Sequence, residues 1–306
     1  MRLLAKHCLY LCIAACTALS ARAADTGKGL TFAADGNQLQ IRLGEVMLAA
    51  YLMKSEIIQR PGFINIRTPK DTVVTRPFPV QEDAKNGGDH PDMHPGIWFG
   101  FGDINSTDFW RNKGRVEHVQ FIQEPIVENG VARFAVLNRY LSPEGAEACQ
   151  QTMQAVIRQH PQGWRLTLET ELGSDAHDVS LGAQEEMGLG VRMAGTLNEK
   201  AGGVVTNSVG DRGAKNAWGK VADWWDYSGP GGTVGVLVVP SPANALKCWG
   251  HTRDYGVMGV NPTPRDPPKT RTAIPQGQRL KLKFEVLIHE TADTFAAGAA
   301  AGELIK

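Results

Sequence analysis

The sequence lacks two features that would place it in a membrane or on nucleic acid. After residue 23 it contains no apolar run near the roughly 20 residues that a membrane-spanning helix requires. Its 32 Lys and Arg residues equal its 32 Asp and Glu residues in number and are scattered rather than clustered. Nucleic-acid-binding proteins concentrate basic residues on one surface. We therefore expect no transmembrane segment in the mature chain and no nucleic-acid partner.

Three common catalytic signatures are also missing from the sequence. No G-x-G-x-x-G motif lies between a strand and a helix, no P-loop occurs, and no G-x-S-x-G nucleophile elbow is found. The absence of all three argues against a nucleotide-dependent enzyme and against a serine hydrolase.

The N-terminus has the three parts of a signal peptide. Basic Arg2 and Lys6 precede an apolar stretch, and Ala21-Arg22-Ala23 then provides a small-x-small cleavage site. We predict that residues 1–23 are a signal peptide, that residues 24–306 form a single mature domain, and that the protein is periplasmic or secreted.

The cysteines leave two alternatives open. Ile13-Ala14-Ala15-Cys16 also fits a lipoprotein box, in which case Cys16 would be lipidated and would anchor the chain to a membrane. Of the five cysteines, Cys149 and Cys248 remain after removal of the signal. In an oxidising compartment these two can form a disulfide. Two buried free thiols are the alternative.

Hydrophobic residues alternate with polar ones in several segments, which indicates β-strands. The alternation is regular over residues 164–172 and 279–286, and residues 233–239 are typical of a more buried strand. Turn-forming residues, 34 Gly and 17 Pro, divide the remaining chain into short pieces. One helix is expected from Thr291 to Ala300. We predict an all-β fold, a large antiparallel two-sheet β-sandwich with a short C-terminal helix.

The densest polar segment spans residues 89–96 and contains His90 and His94. Because Pro91 and Pro95 interrupt helical geometry, we expect this segment to be a loop. Histidine can donate or accept a proton near neutral pH, and loops on a rigid scaffold often carry function. His90 is therefore a candidate acid or base. The alternative is a polar loop whose Asp and His side chains cap turns.

A second polar cluster contains Glu185, Glu186 and Arg192. On an extended chain, adjacent side chains point to opposite faces, so only one of the two carboxylates is expected to face a given pocket. Glu186 is the candidate general base, and Arg192 is a candidate to hold anionic or hydroxyl groups. The alternative is a solvated pair of carboxylates with Arg192 as a surface partner.

Six of the seven tryptophans lie beside carboxylates and arginines, within residues 98–110, 216–227 and 249–256. Aromatic rings next to charged groups are typical of sugar-binding clefts, because the rings stack on pyranose faces and the charged groups bind hydroxyls. Trp98 and Trp225 are candidate stacking surfaces. For any single tryptophan, packing in the core is the alternative.

A metal site is another interpretation of the histidines. His90-Pro91-Asp92 has the His-x-Asp spacing found in two-histidine-one-carboxylate iron sites. His251 also supplies an imidazole. The candidate ligands of a divalent ion are His90, Asp92, His94 and His118. No other cofactor is assigned, and histidines that act in acid/base chemistry are the competing interpretation.

A set of short motifs extends over about residues 60–265. They are Thr75-Arg76-Pro77, residues 89–94, 96–100, 102–105 and 108–110, residues 186–192, Asn207-Ser208 with Gly210, Trp218-Gly219-Lys220 with Asp226-Tyr227, residues 253–256, and Asn261-Pro262. Together they resemble a bacterial family of exported proteins labelled methane oxygenase PmoA-like. Many members have an Asp-His-Pro-His-His run where this chain has Asp92 and Met93 before His94. More loosely, the resemblance implies the large β-sandwich of sugar epimerases and polysaccharide-processing enzymes.

Together these observations favour a carbohydrate-active protein that carries out non-redox acid/base chemistry on a sugar or glycoside, as an epimerase, a lyase or a glycoside-processing enzyme. The candidate catalytic residues are His90, Asp103, Glu186 and His251. The candidate substrate-binding residues are Trp98, Asp108, Arg192, Trp225, Arg253 and Tyr255. The alternatives are a non-catalytic carbohydrate-binding protein and a metal-dependent oxygenase, as the family label suggests.

Overall fold

The computed structural model describes residues 29–81, 87–265 and 270–305. The predicted signal peptide and the alternative lipidation site at Cys16 lie outside these ranges. The strands are, in chain order, Leu30–Asp35 (β1), Gln38–Leu43 (β2), Val46–Leu52 (β3), Gly62–Ile64 (β4), Ile97–Phe101 (β5), Arg115–Glu128 (β6), Val131–Leu141 (β7), Glu147–His160 (β8), Gly163–Gly173 (β9), Val179–Leu181 (β10), Met187–Arg192 (β11), Val204–Asn207 (β12), Trp225–Ser228 (β13), Val234–Pro240 (β14), Trp249–Thr252 (β15), Val257–Asn261 (β16), Thr272–Ile274 (β17) and Leu280–Glu290 (β18). The helices are Ala214–Ala217 (α1) and Ala297–Leu304 (α2), with short 3-10 turns at Glu199–Ala201 and Pro230–Gly232.

Two eight-stranded antiparallel sheets form the two layers of the fold. The front sheet has the strand order β1-β2-β3-β4-β5-β11-β16-β15, and the back sheet has the order β12-β13-β14-β18-β9-β8-β7-β6. Strands β10 and β17 pair separately as a small ribbon. The strands expected from hydrophobic alternation are observed as β9, β14 and β18. The predicted all-β sandwich with a short C-terminal helix is confirmed.

The core lies between the sheets and follows the alternation of strand residues. On β5, the side chains of Ile97, Phe99 and Phe101 are buried in this core. The ring of Phe99 lies 5.8 Å from that of Phe284 on β18, so the two sheets meet here. Burying an apolar side chain of this size stabilises the fold by about 1.5–3 kcal/mol. The residues between them on β5 are thereby directed to the outer face of the front sheet.

The C-terminal helix begins later than predicted. The Thr291 N–H donates to the carbonyl of Thr233, and the Phe295 N–H donates to the carbonyl of Gly232, both at 2.8 Å. These hydrogen bonds hold the segment against the turn that precedes β14. The helix therefore begins only at Ala297.

Helix α2 covers part of the outer face of the back sheet. Leu237, Val239 and Leu287 point away from the main core and pack against the helix in a second, smaller cluster. Arg165 donates to the carbonyl of Leu304 at the end of the helix, at 2.9 Å. Neither α2 nor any other helix in the described ranges is long and apolar enough to span a bilayer.

The two cysteines that the sequence left open are not paired. Cys149 and Cys248 are both buried and free. Burial raises the pKa of the Cys248 thiol to about 12 and raises that of Cys149 as well. A thiol with a raised pKa is a poor nucleophile, because the thiolate is the reactive form. Both residues act as small core side chains in this structure.

Candidate functional site

Two tryptophan rings, Trp98 and Trp110, form an aromatic floor on the outer face of the front sheet at strands β5 and β11. Trp98 points outward because its neighbours on β5 face the core, and its ring centroid lies 5.2 Å from that of Trp110. Glycines make room for both rings. A Cβ atom at Gly190 would come within 2.5 Å of the Trp98 ring, and one at Gly100 would come within 2.7 Å of the Trp110 ring. Larger residues at these two positions would therefore displace the floor.

Two buried arginines hold the loop of residues 87–94 beside this floor. Arg76 and Arg60 are each only 2% exposed. Arg60 donates to the Met93 carbonyl at 2.7 Å and to the Trp110 carbonyl at 2.5 Å. The guanidinium of Arg76 donates to the carbonyls of Gly87, Asp89, His90 and His94. Because buried donors without partners are costly, these bonds fix the backbone that carries the histidines.

Asp89 and His90 form a carboxylate–imidazole pair on this loop. The His90 Nδ1 atom lies 2.8 Å from Asp89 Oδ2, and the His90 side chain is 45% exposed. Arg192, which is fully buried, donates to both oxygens of Asp89. Burial raises the pKa of Asp89, but the hydrogen bonds from Arg192 and His90 outweigh it and hold that pKa well below its usual range. Asp89 is therefore ionised and orients His90 through Nδ1.

His94 is a buried ring between the loop and the floor. It stacks on Trp98 with the centroids 5.4 Å apart, and its Nε2 accepts a hydrogen bond from the Trp110 indole N–H at 3.2 Å. Because the indole nitrogen only donates, Nε2 carries the lone pair and the proton is on Nδ1. Burial and the charges of the nearby arginines lower the pKa of His94 well below its usual value. His94 is thus a neutral support for His90, whose ring is 5.5 Å away.

Glu185 and His251 form a second carboxylate–imidazole pair beyond Trp110. The His251 Nδ1 atom lies 3.6 Å from Glu185 Oε2, and its ring meets that of Trp110 edge-on at 6.3 Å. Arg253 donates to both oxygens of Glu185 at 3.1 Å. The neighbouring His251 ring, together with Arg253, lowers the pKa of Glu185 to about 2 against the opposing effect of burial. Burial lowers the pKa of His251, so a neutral imidazole lies beside an ionised carboxylate.

The next residue, Glu186, shows the opposite shift. It forms an ion pair with Arg111, and its side chain is only 14% exposed. Burial raises the pKa of Glu186, although the charge of Arg111 opposes the change. Two carboxylates whose pKa values move apart are typical of sites where one group stays ionised and the other exchanges a proton.

Glu185 lies beside His251 and Glu186 pairs with Arg111, so both carboxylates face the cluster of side chains around the aromatic floor. Strand alternation had predicted that only one of them would. The two residues lie in a bend before β11, which begins at Met187. The side-chain amide of Asn261 donates to the carbonyls of Gln184 at 2.7 Å and of Glu185 at 3.3 Å, which anchors the bend. Alternation holds for extended strands and not for a bend, so both carboxylates can turn to the same side.

Two half-buried aromatic rings flank the pairs. Tyr255 stacks beside the His90 ring at 6.0 Å, and the Arg192 guanidinium lies 4.8 Å from the Tyr255 centroid. On the other side, the guanidinium of Arg253 lies 6.0 Å from the ring of Trp218. These rings, unlike those of the floor, keep part of their surface exposed.

The four candidate metal ligands do not come together. His118 lies on β6, where its ring contacts those of Tyr51 at 6.3 Å and Phe121 at 5.1 Å. Over the described ranges, no group of three or more His, Cys, Asp or Glu side chains is arranged to hold a metal ion. The predicted set of His90, Asp92, His94 and His118 is therefore not one site.

Comparison with known proteins places the chain in a family. The model of a family of unknown function, DUF6807, matches residues 38–301. The chain belongs to this family. The expected membership of the PmoA-like family is wrong, because the model that matches most of the chain is that of DUF6807. Among curated proteins, nothing matches this DUF6807 chain.

Solved structures similar to this DUF6807 member are distant from it. A galactose mutarotase-like protein from Clostridium acetobutylicum is 12% identical with a TM-score of 0.47, and the match covers 87% of this chain and 100% of that one. The Slr1438 protein from Synechocystis sp. PCC 6803 is 11% identical with a TM-score of 0.41, over 88% and 100% of the two chains. YeaD from Salmonella typhimurium is 11% identical with a TM-score of 0.34, over 87% and 96%. Similarity at this level carries no conclusion about substrate or chemistry.

Most of the predicted site residues of this DUF6807 member lie in the cluster. They are His90, Trp98, Asp108, Glu186, Arg192, His251, Arg253 and Tyr255. Trp98 is 1% exposed and covered by His94, so it is a floor residue rather than a stacking surface. Asp108 accepts from the N–H groups of Trp110 at 2.9 Å and Arg111 at 2.8 Å, so it shapes the turn that positions these residues.

Two predicted residues have other roles in the fold. Both oxygens of Asp103 accept hydrogen bonds from Arg271 at 2.6 Å, so this carboxylate is engaged in an ion pair. Trp225 is fully buried in the main core on β13. Its neighbour Trp224 faces the outer side of the sheet and packs near α2 instead. The assignments of Asp103 as a base and of Trp225 as a stacking surface therefore do not fit.

Sequence reasoning missed five residues of the site. They are Asp89, Trp110, Arg111, Glu185 and Trp218. The position of Asp89 directly before a histidine is a usable signal, and both tryptophans lie in the polar segments already singled out. Nothing in the sequence marks Arg111 as a partner of a carboxylate 75 positions away.

Proposed function

We propose that this chain is an exported carbohydrate-active protein that moves protons on a sugar or glycoside without redox chemistry. The observation that supports it best is the pair of carboxylate–imidazole groups, Asp89–His90 and Glu185–His251, at either side of one aromatic floor. Two histidines in different environments are suited to give a proton on one side of a ligand and take one on the other.

His90 is the proton donor in this proposal. Its half-exposed ring can reach a ligand, and the carboxylate of Asp89, 2.8 Å from Nδ1, orients the ring so that Nε2 is directed away from Asp89. The buried guanidinium of Arg192 keeps Asp89 in place. The Asp89 carboxylate therefore positions His90 and does not itself transfer the proton.

His251 is the proton acceptor. Burial keeps this ring neutral, and the nearby Glu185 carboxylate favours the tautomer with the proton on Nδ1, which leaves Nε2 as a base. Glu186 is a second proton carrier, since burial raises its pKa towards the range in which it exchanges protons.

The charges and rings around these pairs favour a neutral, hydroxyl-rich ligand. Tyr255 and Trp218 present aromatic surfaces suited to the apolar faces of a pyranose. Three of the guanidiniums at the site already have a carboxylate partner. These ion pairs are Arg192–Asp89, Arg253–Glu185 and Arg111–Glu186. With these three cations matched, the site suits hydroxyl groups better than it suits an anion.

The test is a screen of sugars and glycans on wild-type protein and on His251→Ala. Binding is followed by saturation-transfer NMR, and proton exchange, epimerisation, elimination and hydrolysis are followed by NMR of the sugar. We expect at least one neutral sugar to be converted, and the variant to lose about 100-fold or more in rate. Since the proposal includes export, the protein is isolated from the exported fraction of its host.

Three outcomes count against the proposal. Binding without conversion by the wild-type protein would favour a non-catalytic carbohydrate-binding protein. Conversion that survives His251→Ala unchanged would remove His251 from the mechanism. Recovery of the chain only from the cytosol, with residues 1–23 still attached, would contradict export.

A further inference from the structure

A groove lies between helix α2 and the segment that follows β14, on the outer side of the back sheet. Its volume is about 490 Å³. The helix contributes Gly298, Ala301 and Gly302, and the opposite walls come from the segments 222–224 and 239–248. Because the helix presents only small side chains here, the space between these walls is left unfilled. We call this feature the α2 groove.

The walls of the α2 groove are mainly apolar. The half-buried ring of Trp224 faces the helix, since a Cβ atom at Gly298 would lie 3.7 Å from that ring. Val239 and Leu246 line the groove from the opposite side, and Ile305 lines it directly after the helix. Contact between this apolar surface and water is unfavourable, so covering the groove would be favourable.

Exposed hydrophobic side chains gather around the α2 groove. Three of the seven large hydrophobic residues that are exposed in the described ranges lie here, namely Val209, Val221 and Ile305. Val221 is three positions before Trp224, and Val209 follows Ser208, whose N–H donates to the Trp224 carbonyl at 3.2 Å. Single exposed apolar residues need no explanation, but several of them around an apolar groove are typical of an interaction surface.

The other group of exposed hydrophobic residues differs in its setting. Val119, Ile122 and Ile126 lie on β6, at the edge of the back sheet. The pairing of β6 with β7 shifts register three times, and Pro125 removes one backbone donor. Bulges and prolines at an edge hinder the addition of another strand. The α2 groove, which lacks such protection, is therefore the better candidate for an interface.

Two opposite charges at the rim of the α2 groove indicate what covers it. Asp223 and Lys247 both line the groove and are exposed, and neither forms an ion pair within the described part of the chain. In a two-fold symmetric dimer, a residue of one copy meets a second residue of the other copy, and the reverse contact also forms. A surface with one acidic and one basic residue can therefore pair with itself.

Other occupants fit the α2 groove less well. A small apolar molecule inside it would leave Val209 and Val221 in water, because neither residue lines the groove. A partner with charges of one sign would be repelled by either Asp223 or Lys247. A second copy of this chain supplies both the apolar residues and the two opposite charges.

We propose that the α2 groove and the hydrophobic residues around it form the interface of a two-fold symmetric homodimer. The exposed apolar residues at the rim of each copy cover the groove of the other. Asp223 of each copy forms an ion pair with the partner's Lys247, so the contact is made twice. This interface is independent of the acid/base chemistry proposed for the front sheet.

The first test is analytical ultracentrifugation of the purified protein over a series of concentrations. We expect a reversible equilibrium between monomer and dimer. Ile305→Asp places a charge within the apolar part of the interface and should raise the dissociation constant about tenfold or more. Ile122→Asp on β6 is the matched control, since Ile122 is 51% exposed and Ile305 is 52% exposed. This control should change the dissociation constant by less than about twofold.

The second test exchanges the charges of the proposed ion pair. Asp223→Lys makes both rim residues of a copy basic, and Lys247→Asp makes both acidic, so each variant meets like charges in its own dimer. We expect each variant alone to dimerise about tenfold more weakly than the wild type. An equimolar mixture of the two variants should form a heterodimer with nearly the wild-type affinity, because basic residues then face acidic ones at both contacts.

Three outcomes would overturn the proposal. The first is a wild-type chain that is still monomeric at about 100 µM. The second is a dimer that is weakened by Ile122→Asp and not by Ile305→Asp, because its interface would lie on β6. The third is a mixture of the two charge variants that dimerises no more tightly than each variant alone. If Ile305→Asp does not fold, the mixture still decides, because both charge variants change exposed side chains.

Discussion

Two aspartate–histidine pairs with nearly the same geometry lie on the two outer faces of the sandwich. The front pair, Asp89–His90, is 2.8 Å apart, and the back pair, Asp226–His289, is 2.9 Å apart. His90 is 45% exposed, whereas the side chain of His289 is fully buried. The ring of Phe295 stacks on His289 at 3.7 Å in the segment that leads into α2. Residue type and distance do not distinguish these two Asp–His pairs, whereas the exposure of the histidine does.

The back pair also shows that the presence of Ser, Asp and His side chains close together does not identify a catalytic triad. Ser228 completes a set of Ser, Asp and His, but its hydroxyl donates to Asp226 at 2.5 Å and not to the histidine. In a serine hydrolase the histidine lies between the serine and the carboxylate, because it must take the serine proton. Here the carboxylate lies between the other two. The three side chains therefore satisfy each other in a buried position and activate no nucleophile.

The largest effect that would test this comparison is on turnover. His90→Ala removes the proton donor of the front pair, and general acid–base catalysis contributes about 100- to 10,000-fold. We expect a loss in that range on the sugar that the wild type converts. His289→Ala should keep the wild-type rate per folded molecule. Steady-state rates, normalised to folded protein, measure both variants. If the two variants lose activity equally, the exposure of the histidine does not determine which of the two pairs acts in catalysis.

The effects of the same two substitutions on stability should rank the other way, with His289→Ala the more destabilising. His289→Ala removes one of the two side chains that bond to the buried Asp226, and a buried acceptor left unsatisfied typically costs about 1–3 kcal/mol. His90→Ala should cost less than about 1 kcal/mol, because the front pair is open to solvent. Urea denaturation measures the free energy of unfolding of each. A cost for His289→Ala as small as that for His90→Ala would show that the covered pair does not stabilise the back sheet.

The fold was predictable where one face of a strand meets water. Strands β9 and β18 show polar side chains on one side, so their alternation is visible in the sequence. Trp225 was misassigned although β13 alternates apolar Trp225 and Tyr227 with polar Asp226 and Ser228, a pattern that already places the tryptophan on the core face. The start of α2 was misplaced because the bonds from Thr291 and Phe295 reach residues about 60 positions away.

The candidate site was predictable only in part, for a similar reason. The prolines that flank His90 show a loop, and a histidine on a loop is a local signal. The partner that holds this loop site in place, Arg192, lies 103 positions from Asp89. The prediction that only one of Glu185 and Glu186 faces the site was wrong because the two lie in a bend. Asn261, which is about 76 positions away, anchors that bend. Ion pairs over such separations come from sheet topology and not from sequence spacing.

The smallest expected effect concerns the acid sensitivity of Glu185 on the front sheet. Its pKa in the folded protein, about 2, is below its ordinary value of 4.5, so its ionised form favours folding. This contribution is complete above about pH 4.5 and is lost as the pH falls through about 2. The side chain is 36% exposed, so solvent screens the interaction, and we expect about 1 kcal/mol or less.

Glu185→Gln should therefore be less stable than the wild type near about pH 6, and this gap should shrink towards about pH 2.5. Urea denaturation at both pH values measures it. Glu169→Gln is the matched control on the back sheet, because that carboxylate lies in an exposed pair with Lys283. Its gap should be near zero at both pH values. A constant gap for Glu185→Gln would mean that the front carboxylate is held no more tightly than an exposed one, and that His251 lacks the ionised partner on which its role as a base depends.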